Sequence, residues 1–155
     1  MIAVRRAEPD DVPAMSRLLI ASITELCTLD HRNEPAAIAA WTANKTPEGV
    51  AAMLADPANQ LFVAERAGDL AAVGLVRDGQ EIGLNYVDPA HRFQGVSRAL
   101  LAAMEAAMHE AGTVESRLKS TVTAHGFYLA NGWTDTGPLY TGRFIDAYPM
   151  SKPLR

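Results

Sequence analysis

Hydrophobic and polar positions follow two periods along this chain, one near 3.6 residues and one near 2, and their succession predicts the order of elements. Ile2 to Arg6 reads as a short strand, and after Pro9, Asp10 and Asp11 the residues Val12, Met15, Leu18, Leu19 and Ile23 recur at helical spacing. The polar run TLDHRNEP, Thr28 to Pro35, reads as a loop; helix resumes from Ala36 to Ala43 around Trp41. Thr46 followed by Pro47 has the form of an N-cap with proline at the first helical position, opening a helix to about Ala55.

After Asp56-Pro57 the period changes to that of strands. Gln60 to Arg66 alternates, AGD turns the chain, Leu70 to Arg77 is apolar and β-branched, and Asp78-Gly79 is a two-residue hairpin signal ahead of a third strand, Glu81 to Val87. From Val96 the apolar positions Ala99, Leu100, Ala103, Met104, Ala107 and Met108 keep a helical period until Gly112. Val114 to Ser120 reads as a strand whose alternation is interrupted by charges, and Thr123 to Asn131 as a short helix stopped at Asn131-Gly132. FIDAYPM, from Phe144, reads as a last strand in which Pro149 is tolerated near an edge. An antiparallel meander, a long helix, then strand, helix and strand make an α+β domain with helices covering a central sheet.

Size and composition narrow the function. At 155 residues the chain suits one domain, 1–155, with one substantial core. Its 48% hydrophobic and 21% charged residues are those of a globular protein. A net charge of −4 and no basic cluster longer than a pair argue against a nucleic-acid partner. Cys27 is the only cysteine, so no intramolecular disulfide forms. MIAVRRAEPD lacks the pattern of a signal peptide, and no apolar run approaches membrane-spanning length, so the expected location is the cytoplasm, without a membrane partner.

The stretch HRFQGVSRALL, His91 to Leu101, lies where a strand that ends before Pro89 meets the long helix. The first turn of a helix carries N–H groups without intrahelical partners, and these, with the positive end of the helix dipole, favour an anion such as a pyrophosphate. Gly95 would let a phosphate approach the backbone, and Arg92 and Arg98 would add charge-assisted contacts. Glycine also opens helices for backbone reasons alone, and flanking arginines are commonly solvated. The P-loop pattern and the dinucleotide fingerprint are both absent.

VDPAHRFQGVSRALL resembles the acyl-CoA-binding segment of the GNAT superfamily of N-acyltransferases, Q/R-x-x-G-x-G/A between a strand and a long helix. Arg92, Gly95 and Ser97 fill the three places, with serine where the family carries Gly or Ala. TAHGFYLANGW, Thr123 to Trp133, is similar to the family's later A-x-x-F-Y-x-x-x-G-F segment through Ala124, Phe127, Tyr128, Gly132 and Trp133; Thr121 stands where members often carry Asn. The resemblance implies a GNAT-like mixed, mostly antiparallel sheet covered by helices on both faces, and acetyl-CoA as co-substrate without a metal. It places the pantetheine along LNYV with Tyr86 and Val87 offering backbone groups, and the pyrophosphate on N–H groups of Phe93, Gln94, Gly95, Val96, Ser97 and Arg98. Thr121, Ala124 and Phe127 would complete the cofactor site.

The implied reaction is direct attack of an amine on the thioester. It requires removal of a proton from the amine, stabilisation of the oxyanion and protonation of the leaving thiolate. Tyr128 matches the family position that protonates the thiolate; the alternative is a core tyrosine with a satisfied hydroxyl. Glu81, with Asn85 four residues later on the same strand face, is the candidate base acting through water, although Glu81 also reads as a solvated residue after a hairpin and backbone carbonyls with water would suffice. Glu25, Asp30, His31 and Trp41 are the candidate acceptor-binding residues, meeting a cationic small-molecule or peptide amine. Cys27, Asp30 and His31 as a metal set is a weaker alternative, lacking a second paired ligand. Two functional readings follow: an N-acetyltransferase, expected as a homodimer, or a catalytically silent acyl-CoA-binding module.

Overall fold

The computed structural model describes residues 1–155. Eight strands form its sheet: β1 (Ile2–Arg6), β2 (Asn59–Arg66), β3 (Asp69–Arg77), β4 (Glu81–Val87), β5 (Glu115–Ser120), β6 (Thr134–Asp135), β7 (Tyr140–Thr141) and β8 (Asp146–Pro153). The helices are α1 (Val12–Leu26), α2 (Thr28–His31), α3 (Pro35–Thr42), α4 (Pro47–Ala55), α5 (Val96–Glu110) and α6 (His125–Ala130). The strand order is β1-β2-β3-β4-β5-β8-β6, with β7 pairing β8. All pairs are antiparallel except β4–β5. That parallel pair needs a crossover, and α5 supplies it.

Alternation in the central strands divides the core between two faces. Phe62, Ala64, Ala72 and Val76 pack with Leu100, Leu101, Met104 and Met108 of α5. Leu61, Val63, Val73 and Leu75 pack on the other face with Met15, Leu18 and Leu19 of α1 and Val50 of α4. Burying a side chain such as Leu100 or Leu19 contributes about 1.5–3 kcal/mol. Gly74 lets α5 lie close to the sheet, since a Cβ there would meet the Met104 sulfur at 2.6 Å. Thr46 caps α4 as its sequence predicts, its hydroxyl accepting from the Gly49 N–H at 3.1 Å. No helix is long and apolar enough to cross a membrane.

The structure corrects several local expectations. Thr28–His31 is a single helical turn rather than loop, closed by Arg32 in the left-handed region. Charges do not interrupt the alternation of β5: Ser116, Leu118 and Ser120 are buried while Glu115, Arg117 and Lys119 face out. The two serines belong inside because their hydroxyls donate to the carbonyls of Lys152 and Thr121. Pro149 sits in a strand flanked on both sides. Its carbonyl accepts from the Thr136 N–H, so its nitrogen faces the same side, where the β6 ladder has already ended at Asp135.

Strand β4 carries the feature that shapes the functional site. Val76 pairs with Ile82 and Leu75 with Leu84, leaving Gly83 as an unpaired bulge residue. A bulge reverses the alternation. Ile82 therefore packs on the α5 face and Leu84 on the α1 face. The β4–β5 ladder comprises only Glu81–Arg117 and Ile82–Leu118. Beyond it the two strands part.

Candidate active site

Where β4 and β5 separate, a cleft of about 650 Å³ opens between them. It runs from α1, through the diverging strands, to the first turn of α5. That is within the 300–1,000 Å³ typical of small-molecule sites. Its floor is β4 from Ile82 to Val87, and Thr121, Ala124, Phe127 and Tyr128 form the opposite wall.

At the α5 end the chain exposes a row of backbone donors. The first helical hydrogen bond runs from Ala99 N–H to the Gly95 carbonyl, so the N–H groups of Val96, Ser97 and Arg98 have no partner inside the helix. Phe93 and Gly95 both have positive φ, 60° and 79°, which turns the preceding segment over the helix start. Only at Gly95 is this conformation free of side-chain strain. Phe93 is 89% exposed and lies under the Arg92 guanidinium at 4.6 Å. Arg92, Phe93, Gly95, Val96, Ser97 and Arg98 all line the cleft. Gln94 does not: its side-chain oxygen accepts from Arg66 on the outer surface. The donors, two guanidiniums and a glycine at the closest approach fit a pyrophosphate group.

At the other end, the Asn85 amide donates to the Tyr128 hydroxyl oxygen at 3.0 Å. The Tyr128 ring is held edge-on by Phe127 and Trp133, with centroids 5.4 and 6.0 Å away. Burial pushes its phenol up to about 12, against a smaller opposing effect of the Asn85 hydrogen bond. The phenol is therefore neutral at ordinary pH. Because the amide supplies the hydrogen in its bond with Tyr128, the Tyr128 proton remains available to another acceptor. Tyr86 is also pushed up by burial, and its ring meets Trp41 edge-on at 6.5 Å.

Glu81 lies outside the cleft. It pairs with Arg77 at 3.6 Å at the hairpin end of β4. The Gly83 bulge places it on the opposite sheet face from Asn85, contrary to the expectation that they share one. The turn between β3 and β4 is a type I′ turn, with Asp78 and Gly79 at φ 55° and 67° and a bond from Gln80 N–H to Arg77 C=O.

The candidate acceptor residues serve the fold more than the cleft. Glu25 is exposed on α1. Asp30 accepts from the Val122 N–H at 2.7 Å, the Thr123 N–H at 3.3 Å and the Thr123 hydroxyl at 2.5 Å, tying α2 to the loop before α6. His31 is 2% exposed, bonded through Nε2 to the Ile23 carbonyl at 2.8 Å and through Nδ1 to the Asn33 N–H at 3.0 Å. A carbonyl only accepts and an N–H only donates, which fixes the neutral Nε2–H tautomer. Trp41 packs with Ile23 and Cys27. With Asp30 and His31 so engaged, the Cys27, Asp30 and His31 set does not form a metal centre. Cys27 does line the cleft, its thiol pushed up to about 12 mainly by burial.

Several lining residues carry no motif by which sequence could find them. Ser22 and Leu26 reach the cleft from α1, His91 from the turn before Arg92, and Lys119 and Thr123 from the end of β5 and the loop after it. Thr121 has a definite task, its hydroxyl accepting from the Ala124 N–H at 3.0 Å at the start of α6.

The fold recurs in known acetyltransferases. A GCN5-related N-acetyltransferase from Rhodopseudomonas palustris superposes with a TM-score of 0.87 at 21% identity, covering 98% of this chain and 95% of that one. The PaiA N-acetyltransferase from Thermoplasma acidophilum, solved in complex with coenzyme A, gives 0.78 at 16% identity and 99% coverage of both. The ribosomal-protein alanine N-acetyltransferase from Escherichia coli gives 0.63 at 19%, covering 99% and 94%. No curated protein matches the sequence significantly. The sequence profile of the acetyltransferase (GNAT) domain matches residues 27–154, spanning both ends of the cleft, and the chain thus belongs to the GNAT family of acyl-CoA-dependent N-acetyltransferases.

Proposed function

We propose that the protein moves the acetyl group of acetyl-CoA to a primary amine of a small molecule or peptide, by direct attack within a ternary complex. The observation that carries this reading is the Asn85–Tyr128 pair at the cleft, with the proton of a neutral phenol left free. The bound thioester supplies the acyl group. Backbone N–H groups from Phe93 to Arg98, with the Arg92 and Arg98 side chains, hold its pyrophosphate, and β4 at Tyr86 and Val87 offers backbone groups to the arm. Thr121, Ala124 and Phe127 form the opposite wall.

Tyr128 donates its proton to the sulfur that leaves, and Asn85 fixes the direction of that phenol. Asn85 is thus a positioning residue and, being an amide, has no basic nitrogen for the role of base. With Glu81 turned away, no carboxylate lines the cleft. The acceptor enters as a neutral amine; after attack its surplus proton passes to water held by the backbone carbonyls of β4, and a proton from water returns to the Tyr128 oxygen once the thiol has left.

A thiol-release assay with acetyl-CoA and a panel of amines tests the reading, with a melting experiment in acetyl-CoA as companion. Release of CoA with at least one amine, together with a raised melting temperature, is the expected result. Stabilisation without release by any amine would mark a silent acyl-CoA-binding module of the same fold, and no stabilisation would count against cofactor binding itself.

A further inference from the structure

Among the cleft-lining residues there are three strong cations, Arg92, Arg98 and Lys119, and no aspartate or glutamate. Two of the three stand at the start of α5, where the pyrophosphate belongs. Lys119 stands apart. The β4–β5 ladder ends at Ile82–Leu118, so Lys119 is the first β5 residue beyond the point of separation, at the apex of the cleft beside the Gly83 bulge.

Its side of the sheet follows from its neighbours. Leu118 packs on the α5 face. Successive strand residues point to opposite faces, so Lys119 projects to the face on which α1 lies. Tyr128 belongs to the α5-face core, and Asn85 reaches it from that side. If the sulfur meets the phenol there, the amine must approach from the α1 face, between Lys119 and the α1 wall of Ser22, Leu26 and Cys27. Lys119 has no salt bridge or side-chain hydrogen bond. The nearby carboxylates are engaged, Asp30 with Val122 and Thr123 and Glu81 with Arg77.

We infer that Lys119 binds an anionic group of the acceptor, and that the acceptor class is α-amino carboxylates, whose charge lies next to the amine. The assignment rests on the acetyltransferase reading above. An ammonium beside the amine also favours the amine's neutral form, which suits a cleft without a carboxylate base. It disfavours polyamines and other polycationic acceptors, because a second positive charge would meet Lys119.

The test compares free amino acids with their carboxamides, using leucine and phenylalanine as matched pairs, in the wild type and in Lys119→Met and Lys119→Glu. The wild type should prefer the acids at least tenfold in kcat/KM. Lys119→Met should lose most of that preference, the acids falling much further in kcat/KM than the carboxamides, and Lys119→Glu should reverse it. A binding measurement separates this inference from catalysis: N-acetylleucine should bind the CoA complex of the wild type by calorimetry at least tenfold tighter than that of Lys119→Glu, with N-acetylleucinamide nearly indifferent. Unchanged CoA affinity confirms that the variants are folded. Equal binding of N-acetylleucine to wild type and variant, or a wild-type preference for carboxamides or polyamines, would overturn the assignment. CoA binding without turnover of any amine, alongside the expected N-acetylleucine difference, would overturn the catalytic reading and leave Lys119 as an anion site.

Discussion

Replacing Tyr128 by Phe removes one oxygen and leaves the ring in its contacts with Phe127 and Trp133. The fold should survive. The Asn85 amide loses its acceptor but borders the cleft, where water replaces it, so the stability cost should be about 1 kcal/mol. That corresponds to roughly 2–4 °C in Tm for a chain of this size. The effect on turnover should be larger. General acid catalysis contributes about 10²–10⁴-fold, and a thiol with an ordinary pKa near ~8.5 is already a fair leaving group, which places the loss toward the low end. We expect kcat to fall about 100-fold, close to 2.7 kcal/mol, with acetyl-CoA affinity by calorimetry within about twofold. Because the phenol titrates only near 12, the wild-type kcat should show no descending alkaline limb from Tyr128 below about pH 10. Folding linkage has the same origin. The phenol is neutral in both states below its unfolded value of 10, so its contribution is fully present there and is lost as pH rises from 10 through 12. Equal losses in turnover and cofactor affinity would refute the acid role in favour of packing, and unchanged turnover would refute it outright.

Other residues give independent expectations. Asp30→Ala removes the acceptor of three hydrogen bonds from Val122 and Thr123 and should cost roughly 2–3 kcal/mol in urea denaturation; a loss below 0.5 kcal/mol would deny the staple. Glu81→Gln should leave kcat within about twofold, since its carboxylate faces Arg77; a hundredfold drop in steady-state rate would restore it as a base. Lys45 is 4% exposed and bonded to Asn44 and Trp41 without a carboxylate, and burial pushes its ammonium down to about 8. The folded state releases this proton before the unfolded one does, so its contribution to stability rises between pH 8 and 10.5. Lys45→Met should accordingly raise Tm at pH 7 by a few degrees, with a smaller gain at pH 10; a lowered Tm at pH 7 would contradict this.

The elements whose pattern is local were legible in the sequence. The period of α5, the Asp78-Gly79 turn and the Thr46-Pro47 cap each depend on residues within a few positions. So did the row of donors after His91, because a helix start exposes N–H groups whatever surrounds it. The partners of Asp30 and His31 were not legible because the fold sets them: Asp30 meets Val122 and Thr123, more than ninety positions away. The expectation that Glu81 and Asn85 share a face failed because the bulge at Gly83 depends on how β3 is registered against β4. Lys119 gave no signal, as its place at the apex follows from where two strands part. The charges of β5 looked disruptive because its inward serines are satisfied by carbonyls that sequence does not reveal.

A crystal structure with CoA tests the central claim most directly. The account predicts the pantetheine between β4 and β5, the pyrophosphate on the N–H groups of Phe93 to Arg98, and the sulfur within hydrogen-bonding reach of the Tyr128 oxygen. A CoA molecule bound elsewhere, or one whose sulfur lies away from Tyr128 on the opposite sheet face, would contradict it.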